Sequence, residues 1–191
     1  MYGLVQKVGG ISQYYVHTAF SLNVNPYIIG FLTGDNMAKI KKVNIYDMDG
    51  TIVCSLHRYR TIEGIRIDLD YWRENQDKAM DDSLLPLAEQ YKMDLLDENT
   101  YVIIATARVM GSADYEFVDK ILGKPDYLIS RGNGDIRSGG QLKIKGLTKF
   151  FNLKNFRDAE ITFYEDNVQY LKTVCDKFNI RGVYIPSKQG H

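Results

Sequence analysis

From residue 43 to the C-terminus, short apolar runs alternate with longer stretches whose apolar residues recur at helical spacing, and this alternation leaves few folds open. Val43 to Asp47, Tyr101 to Ala105, Pro125 to Ser130, Ile161 to Tyr164 and Gly182 to Ile185 read as strands. Ser83 to Leu96 reads as a helix through Leu84, Leu87, Ala88, Tyr91 and Leu95, with Asp81 and Asp82 as negative charges at its start. Asp114 to Leu122, closed by Gly123, is a second helix, and Leu147 to Leu153 a third. A fourth carries Val168, Leu171, Val174 and Phe178 on one side. A strand such as Tyr101-Val-Ile-Ile-Ala105 is too apolar to leave one face in water. The predicted fold is therefore α/β: a three-layer, doubly wound, Rossmann-like parallel sheet of five strands. Ligands of such sheets bind beyond the carboxyl ends of the strands.

At about 150 residues per domain, a chain of 191 residues holds one domain with room for an appendage. Residues 1–36 are the appendage: aromatic, Gly-rich and nearly uncharged, with weak alternation in Tyr14 to Phe20 and Pro26 to Leu32 that suggests a hairpin. The text changes at Met37-Ala38-Lys39-Ile40, which reads like a natural start. Residues 1–36 are thus either an arm or a non-essential extension, and 37–191 the folded domain. Cys54 and Cys175 are too few for a disulfide scaffold or a thiolate zinc site, which points to a reducing cytoplasm. No run reaches the roughly 20 apolar residues of a membrane helix, and no secretory leader is visible, so no membrane partner is expected.

Chemistry gathers at the strand ends. The first strand runs into Asp47-Met48-Asp49-Gly50-Thr51, the second ends at Thr106, and the fourth in Glu165-Asp166; Lys143 and Lys145 precede that last pair. Carboxylates so placed need a cation to stay ionised together. Oxygen-only ligands of this kind suit Mg²⁺, which is usually held by one or two carboxylates together with a substrate phosphate.

The ordered set Asp-X-Asp-Gly-Thr, Thr, Lys and paired acids resembles the haloacid dehalogenase (HAD) superfamily over residues 43 to 186. The resemblance implies that Asp47 is a nucleophile forming an aspartyl-phosphate and that Asp49 is the acid that protonates the leaving oxygen and then activates water. Thr106 would bind the transferring phosphoryl group, and Lys145, with Lys143 as second choice, would neutralise it. Asp47, Asp166 and the backbone carbonyl of Asp49 would hold Mg²⁺, with Glu165 in a supporting position. Met48, Gly50, Thr51, Ala107, Arg108 and Lys143 would surround the substrate phosphate. An acid at position 49 favours phosphatase over carbon–halogen cleavage, because dehalogenase members lack it. The independent chemistry agrees: phosphoryl transfer needs positioning and charge stabilisation, and a carboxylate nucleophile divides hydrolysis into two easier displacements.

In this superfamily, cap insertions select substrates. Only a small helical flap, at about 52–82, fits after the first strand, and no sizeable lid fits before the Gly-rich stretch Gly132 to Gly140. By resemblance, minimally capped members often act on substrates too large to enclose. From Arg131 to Arg157 seven basic residues stand against one acidic, and from Ile65 to Asn99 ten acidic against four basic. The overall zero charge is a cancellation, and the basic half adjoins the expected site. Ser55-Leu56-His57-Arg58-Tyr59-Arg60 adds donors that could bind phosphate, although His57, Arg58 and Arg60 read first as surface residues of the flap. The chain is similar to small phage-encoded HAD proteins and to the phosphatase part of polynucleotide end-healing enzymes, without any kinase loop; a phage enzyme would work in the host cytoplasm.

The expectation is a Mg²⁺-dependent phosphomonoesterase for a nucleotide or nucleic-acid end. A small-metabolite phosphatase, a receiver-like phosphate acceptor and a non-catalytic binding module are the alternatives. No obligate protein partner is inferred.

Overall fold

Alternate residues of the strands go to opposite sides of one sheet. The computed structural model describes residues 40–63 and 66–187; the expected hairpin and the extension 1–36 lie outside them. Strand β1 (Lys42–Tyr46) is central, followed by the flap strands β2 (Val53–Cys54), β3 (Thr61–Ile62) and β4 (Arg66–Ile67), helix α1 (Leu69–Glu74) and strand β5 (Ser83–Leu84). Helix α2 (Leu87–Leu96), strand β6 (Thr100–Val109), helix α3 (Ser112–Phe117), strand β7 (Tyr127–Arg131) and helix α4 (Gly139–Phe151) come next. Strand β8 (Glu160–Glu165), helix α5 (Val168–Phe178) and strand β9 (Arg181–Tyr184) complete the order. The main sheet is parallel, in the order β7-β6-β1-β8-β9, with Ile45 beside both Ile103 and Phe163. The expected five-stranded, three-layer α/β fold is the fold found.

Val43 and Ile45 of β1, with Ile103 and Ala105 of β6, meet Leu142, Leu147 and Phe150 of α4 and Val174 of α5 on one face. Tyr46, with Val102 and Ile104, meets Ala88 and Tyr91 of α2 and Phe117 of α3 on the other. Helix α2 of this layer carries a buried carboxylate, Asp94, which accepts from the Tyr46 hydroxyl, from Asn44 Nδ2 at 2.6 Å and from Gln90 Nε2 at 2.8 Å. Three donors make its burial tolerable and fix α2 against β1.

Four elements differ from expectation. Ser83 and Leu84 pair with Cys54 and Val53 as strands, so the helix begins later, at Leu87. Asp82 accordingly sits among arginines rather than at a helix start. The segment between β1 and α2 is not purely helical: it carries the β3–β4 hairpin, α1 and two 3₁₀ turns, Leu56–Arg58 and Gln76–Asp81. The second helix has a last turn, Val118–Leu122, wound as a π-helix before Gly123. Gly139 and Gly140 belong to helix α4 rather than to a loop. That helix starts at a capping box in which Ser138 Oγ accepts from Gln141 N at 3.3 Å and Gln141 Oε1 accepts from Ser138 N at 3.1 Å. Among the described residues no helix is long and apolar enough to cross a membrane.

Helix α4 approaches β7 closely at Gly146, where a Cβ would lie 2.6 Å from Ile129 Cγ2 and 2.9 Å from its Cδ1. Ile129 is buried and cannot withdraw. G146A is therefore expected to lower stability by about 1–2 kcal/mol, because overpacking outweighs alanine's better helix propensity. A chemical denaturation midpoint that rises would contradict this.

Candidate active site

The sheet order reverses beside β1, so the crevice beyond the ends of β1 and β8 is where such a fold offers a site. Asp47 follows β1 immediately, its N–H held by the Tyr164 carbonyl at 2.9 Å. Register does the rest: Tyr46 lies beside Tyr164, which brings Asp47 level with Glu165 and Asp166. Carboxylate oxygens of Asp47, Glu165 and Asp166, all buried, lie within 4.8 Å of one another. Between them stands Lys143, with 1 % of its side chain exposed. Its Nζ donates to Asp47 Oδ1 at 2.5 Å and to Glu165 Oε2.

The preference for Lys145 does not survive this geometry. On α4 the buried residues Gly139, Gly140, Leu142, Lys143, Leu147 and Phe150 form one face, and Lys145 is exposed on the other. Glu165 is as deeply buried as Asp47 and hydrogen-bonded to the lysine, so it belongs to the acid cluster itself. The Asp49 carboxylate stands apart from that cluster. It accepts from Ser55 Oγ at 2.7 Å and from both Nε (3.0 Å) and Nη2 of Arg108.

Strand β6 is irregular between Ala105 and Val109 where it meets β7. The irregularity carries Thr106, Ala107 and Arg108 to the site, with Thr106 Oγ1 accepting from Arg108 N at 3.1 Å. A distortion of the ladder at a strand end is a usual way of re-aiming side chains. Gly50 makes the sharp turn after the acids, at φ +75°, with its N–H on the Val53 carbonyl at 2.8 Å. A Cβ there would fall 2.1 Å from Asp166 Oδ2. Met48 is packed into the core, and Thr51 is buried with its hydroxyl 3.5 Å from Asp47 Oδ2, so neither presents a free surface to a ligand.

Arg58 is fully buried rather than a surface donor. It bonds Asp82 through Nε at 2.8 Å and Nη2 at 2.6 Å, reaches Asp114 at 2.8 Å, and lies 4.4 Å from the Trp72 ring centre. Arg108 shares these partners through Nη1, 2.7 Å from Asp114 and 3.2 Å from Asp82. Two arginines and three aspartates thus tie the flap to the core and to Asp49. Arg60 is exposed and paired with Asp68 of the flap.

The electrostatics separate the two motif acids. Burial and the neighbouring Glu165 push Asp47 up to about 7 in spite of Lys143. Burial and Asp47 together raise Asp166 to about 6. Burial would raise Asp49 as well, but the Arg108 guanidinium outweighs it and holds the carboxyl below its ordinary range. Three crowded carboxylates against one ammonium leave a formal charge of minus two, and Asp166 Oδ2 is buried without a hydrogen-bond partner. That donor set and that orphaned oxygen fit a hard divalent cation.

A cleft of about 480 Å³ opens over these groups, lined by Asp47, Asp49, Thr106, Lys143 and Asp166 at its base. A family model described as bacteriophage T5 5′-deoxynucleotidase matches residues 36–160. The chain belongs to that family. The 5′-deoxynucleotidase of Escherichia phage T5 is 37 % identical over 108 residues, which are 53 % of this chain and 42 % of that protein. The chain therefore spans less than half the length of that relative. Among solved structures, a chain of the Pnkp1/Rnl/Hen1 RNA repair complex superposes with a TM-score of 0.53 at 21 % identity, over 79 % of this chain and 44 % of that one. CbbY from Rhodobacter sphaeroides in complex with phosphate gives 0.51 at 12 % identity, over 75 % and 85 %. These likenesses concern the fold, and the fold is HAD-like.

The match to the T5 deoxynucleotidase family holds Asp47, Asp49, Thr106 and Lys143 and ends at residue 160, before Glu165 and Asp166. The last two join the site through the pairing of β8 with β1. Sequence reasoning missed Ser55, Asp82, Asp114 and Trp72 as the support of Asp49 and Arg108. Arg58 and its partners Asp82 and Asp114 are 24 and 56 residues apart, and Ser55 and Asp114, though only six residues from Asp49 and Arg108, stand in runs whose charge pattern does not mark the pairing.

Proposed function

We propose that this member of the T5 deoxynucleotidase family is a Mg²⁺-dependent phosphomonoesterase that hydrolyses deoxynucleoside 5′-monophosphates through an aspartyl-phosphate on Asp47. The observation that carries the reading is the arrangement at the strand ends: Asp47 paired with Lys143 inside an acid cluster, and Asp49 held separately by Arg108. The cleft has the size of a small-molecule site and is walled by the flap and the 132–138 loop, which favours a mononucleotide over a polynucleotide end.

In this reading an Asp47 oxygen attacks phosphorus while the bond to the sugar O5′ breaks, and Asp49 delivers the proton that O5′ requires. Asp49 then takes a proton from water as the water oxygen attacks the phosphorylated Asp47; the Asp–phosphate bond breaks, and inorganic phosphate leaves. Arg108 keeps Asp49 ionised in the structure described here. As the substrate phosphate draws on the Arg108 guanidinium, that hold on Asp49 weakens and the carboxyl can carry a proton. Lys143 neutralises charge on Asp47 and on the transferring oxygens, and Thr106 closes the site beside Arg108. Asp47, Asp166 and Glu165 would hold the metal, which supplies charge neutralisation of the phosphoryl oxygens.

The test is phosphate release by native and D47N protein from deoxynucleoside 5′-monophosphates, 3′-phosphorylated oligonucleotides and sugar phosphates, compared as kcat/KM. Preference for the mononucleotides, abolished by D47N, is expected; equal rates in the two proteins, or preference for another substrate class, would reject the reading. Binding to the folded state alone stabilises it by about 2.7 kcal/mol at a hundredfold excess over Kd. Saturating Mg²⁺ should therefore raise the native Tm, and D166N should lose most of that rise. An equal rise in both proteins would remove Asp166 from the metal set.

A further inference from the structure

The cleft that holds the acid cluster has a second character at its mouth. Tyr59 and Ile67 of the flap and Ile136 of the 132–138 loop line the same cleft as Asp47 and Lys143. Ile136 is 98 % exposed, an extreme value for a side chain of that size. It is not on a loosely tethered segment. Arg131, at the end of β7, donates through Nε to the Ala107 carbonyl at 2.8 Å and through Nη1 to the carbonyls of Asp135 (2.7 Å) and Arg137 (2.6 Å). Asp135 in turn pairs with Arg137, accepting from its N–H at 3.1 Å and its Nε at 2.8 Å. One buttressed turn therefore holds an apolar side chain out to water, and the same arginine fastens that turn to the residue between Thr106 and Arg108.

Holding an isoleucine so exposed, while fixing it relative to the strand-end groups, has a use if something apolar covers it when the cleft is filled. The flap adds Tyr59 and Ile67 to the lining of the same cleft. Tyr59 lines the cleft together with the acids Asp49 and Asp166, so its ring belongs to the same space as the strand-end groups. The geometry points to a base clamp: the nucleobase of a deoxynucleoside monophosphate lies between Ile136 on one side and Tyr59 with Ile67 on the other, while its phosphate reaches Asp47 and Lys143. Stacking on aromatic and apolar side chains is how proteins hold nucleobases by their flat faces. Arg131 is a positioning residue that keeps Ile136 at the right height. This inference rests on the nucleotide reading above and adds to it the residues that recognise the nucleoside.

The experiment compares kcat/KM for a deoxynucleoside 5′-monophosphate with that for 2-deoxyribose 5-phosphate, which carries the same phosphate and sugar without a base. The native ratio should be large. I136A should reduce it roughly tenfold, mainly through KM; I136L should restore most of it, and R131K should reduce it with Ile136 still present. Titration calorimetry of the nucleotide into D47N and D47N/I136A proteins reads the same contact without turnover and should show the same roughly tenfold weakening. A large native ratio left unchanged by I136A and R131K, with equal affinity in the calorimetry, would overturn the clamp and leave the nucleotide reading standing. A native ratio near one would overturn the nucleotide reading itself.

Discussion

Replacing Lys143 by methionine is expected to lower kcat for phosphate release by about 10²–10³-fold, while K145M leaves it within about twofold. The two lysines lie two residues apart on one helix, yet only Lys143 is buried among the acids. Burial alone would discharge its ammonium, but Asp47 and Glu165 reverse that and hold it charged. Without it, three carboxylates crowd together with no counter-charge, and Asp47, already raised to about 7, moves further up. At neutral pH more of Asp47 is then protonated and cannot attack phosphorus. The same change should make the fold more dependent on the cation. The Tm loss of K143M is expected to be larger in EDTA than in saturating Mg²⁺. A K143M protein retaining more than about a tenth of native kcat would remove the lysine from the mechanism.

That the sequence could not decide between the two lysines has a specific cause. Facing direction on a helix is a matter of phase, and phase needs the helix start. Reading Gly139 and Gly140 as loop placed the start at Leu147, beyond both lysines. The box formed by Ser138 and Gln141 was the available signal. With the helix begun at Gly139, Lys143 falls on the face of Leu147 and Phe150, one and two turns on, and Lys145 falls opposite. The sheet was legible for a related reason. Val43 and Ile45 go to one layer and Tyr46 to the other, a two-residue period that needs no boundary information. What remained illegible was pairing at a distance. Arg58 stands in a polar run that reads as solvated flap, and its partners Asp82 and Asp114 follow 24 and 56 residues later. Asp82 reads as a charge at a helix start and Asp114 as the first residue of a helix, because their own neighbourhoods are helical.

This distant pairing is where the largest loss of stability is expected. Arg58 and Arg108 together face Asp82, Asp114 and Asp49, and the side chains of Arg58, Asp82 and Asp114 are entirely buried. In R58M a single guanidinium must serve three carboxylates, two of them out of reach of water. Breaking a buried pair from one side costs about 3–5 kcal/mol, a fall in Tm on the order of 10 °C for a chain of this length. Removing Asp82 as well should return part of that loss. In R58M/D82L the remaining Arg108 still has Asp49 and Asp114, so the double variant should be less destabilised than the sum of the single ones. Additive losses in urea denaturation would show that the network is not coupled. The same variant separates packing from chemistry. Arg58 helps Arg108 to keep Asp49 ionised, and once Arg58 is gone Arg108 is drawn towards Asp82 and Asp114. Asp49 then rises towards the ordinary carboxylate range, and the acid limb of the kcat/KM profile should move to higher pH in R58M. A purely structural role would lower the amount of active protein at every pH and leave that limb where it is.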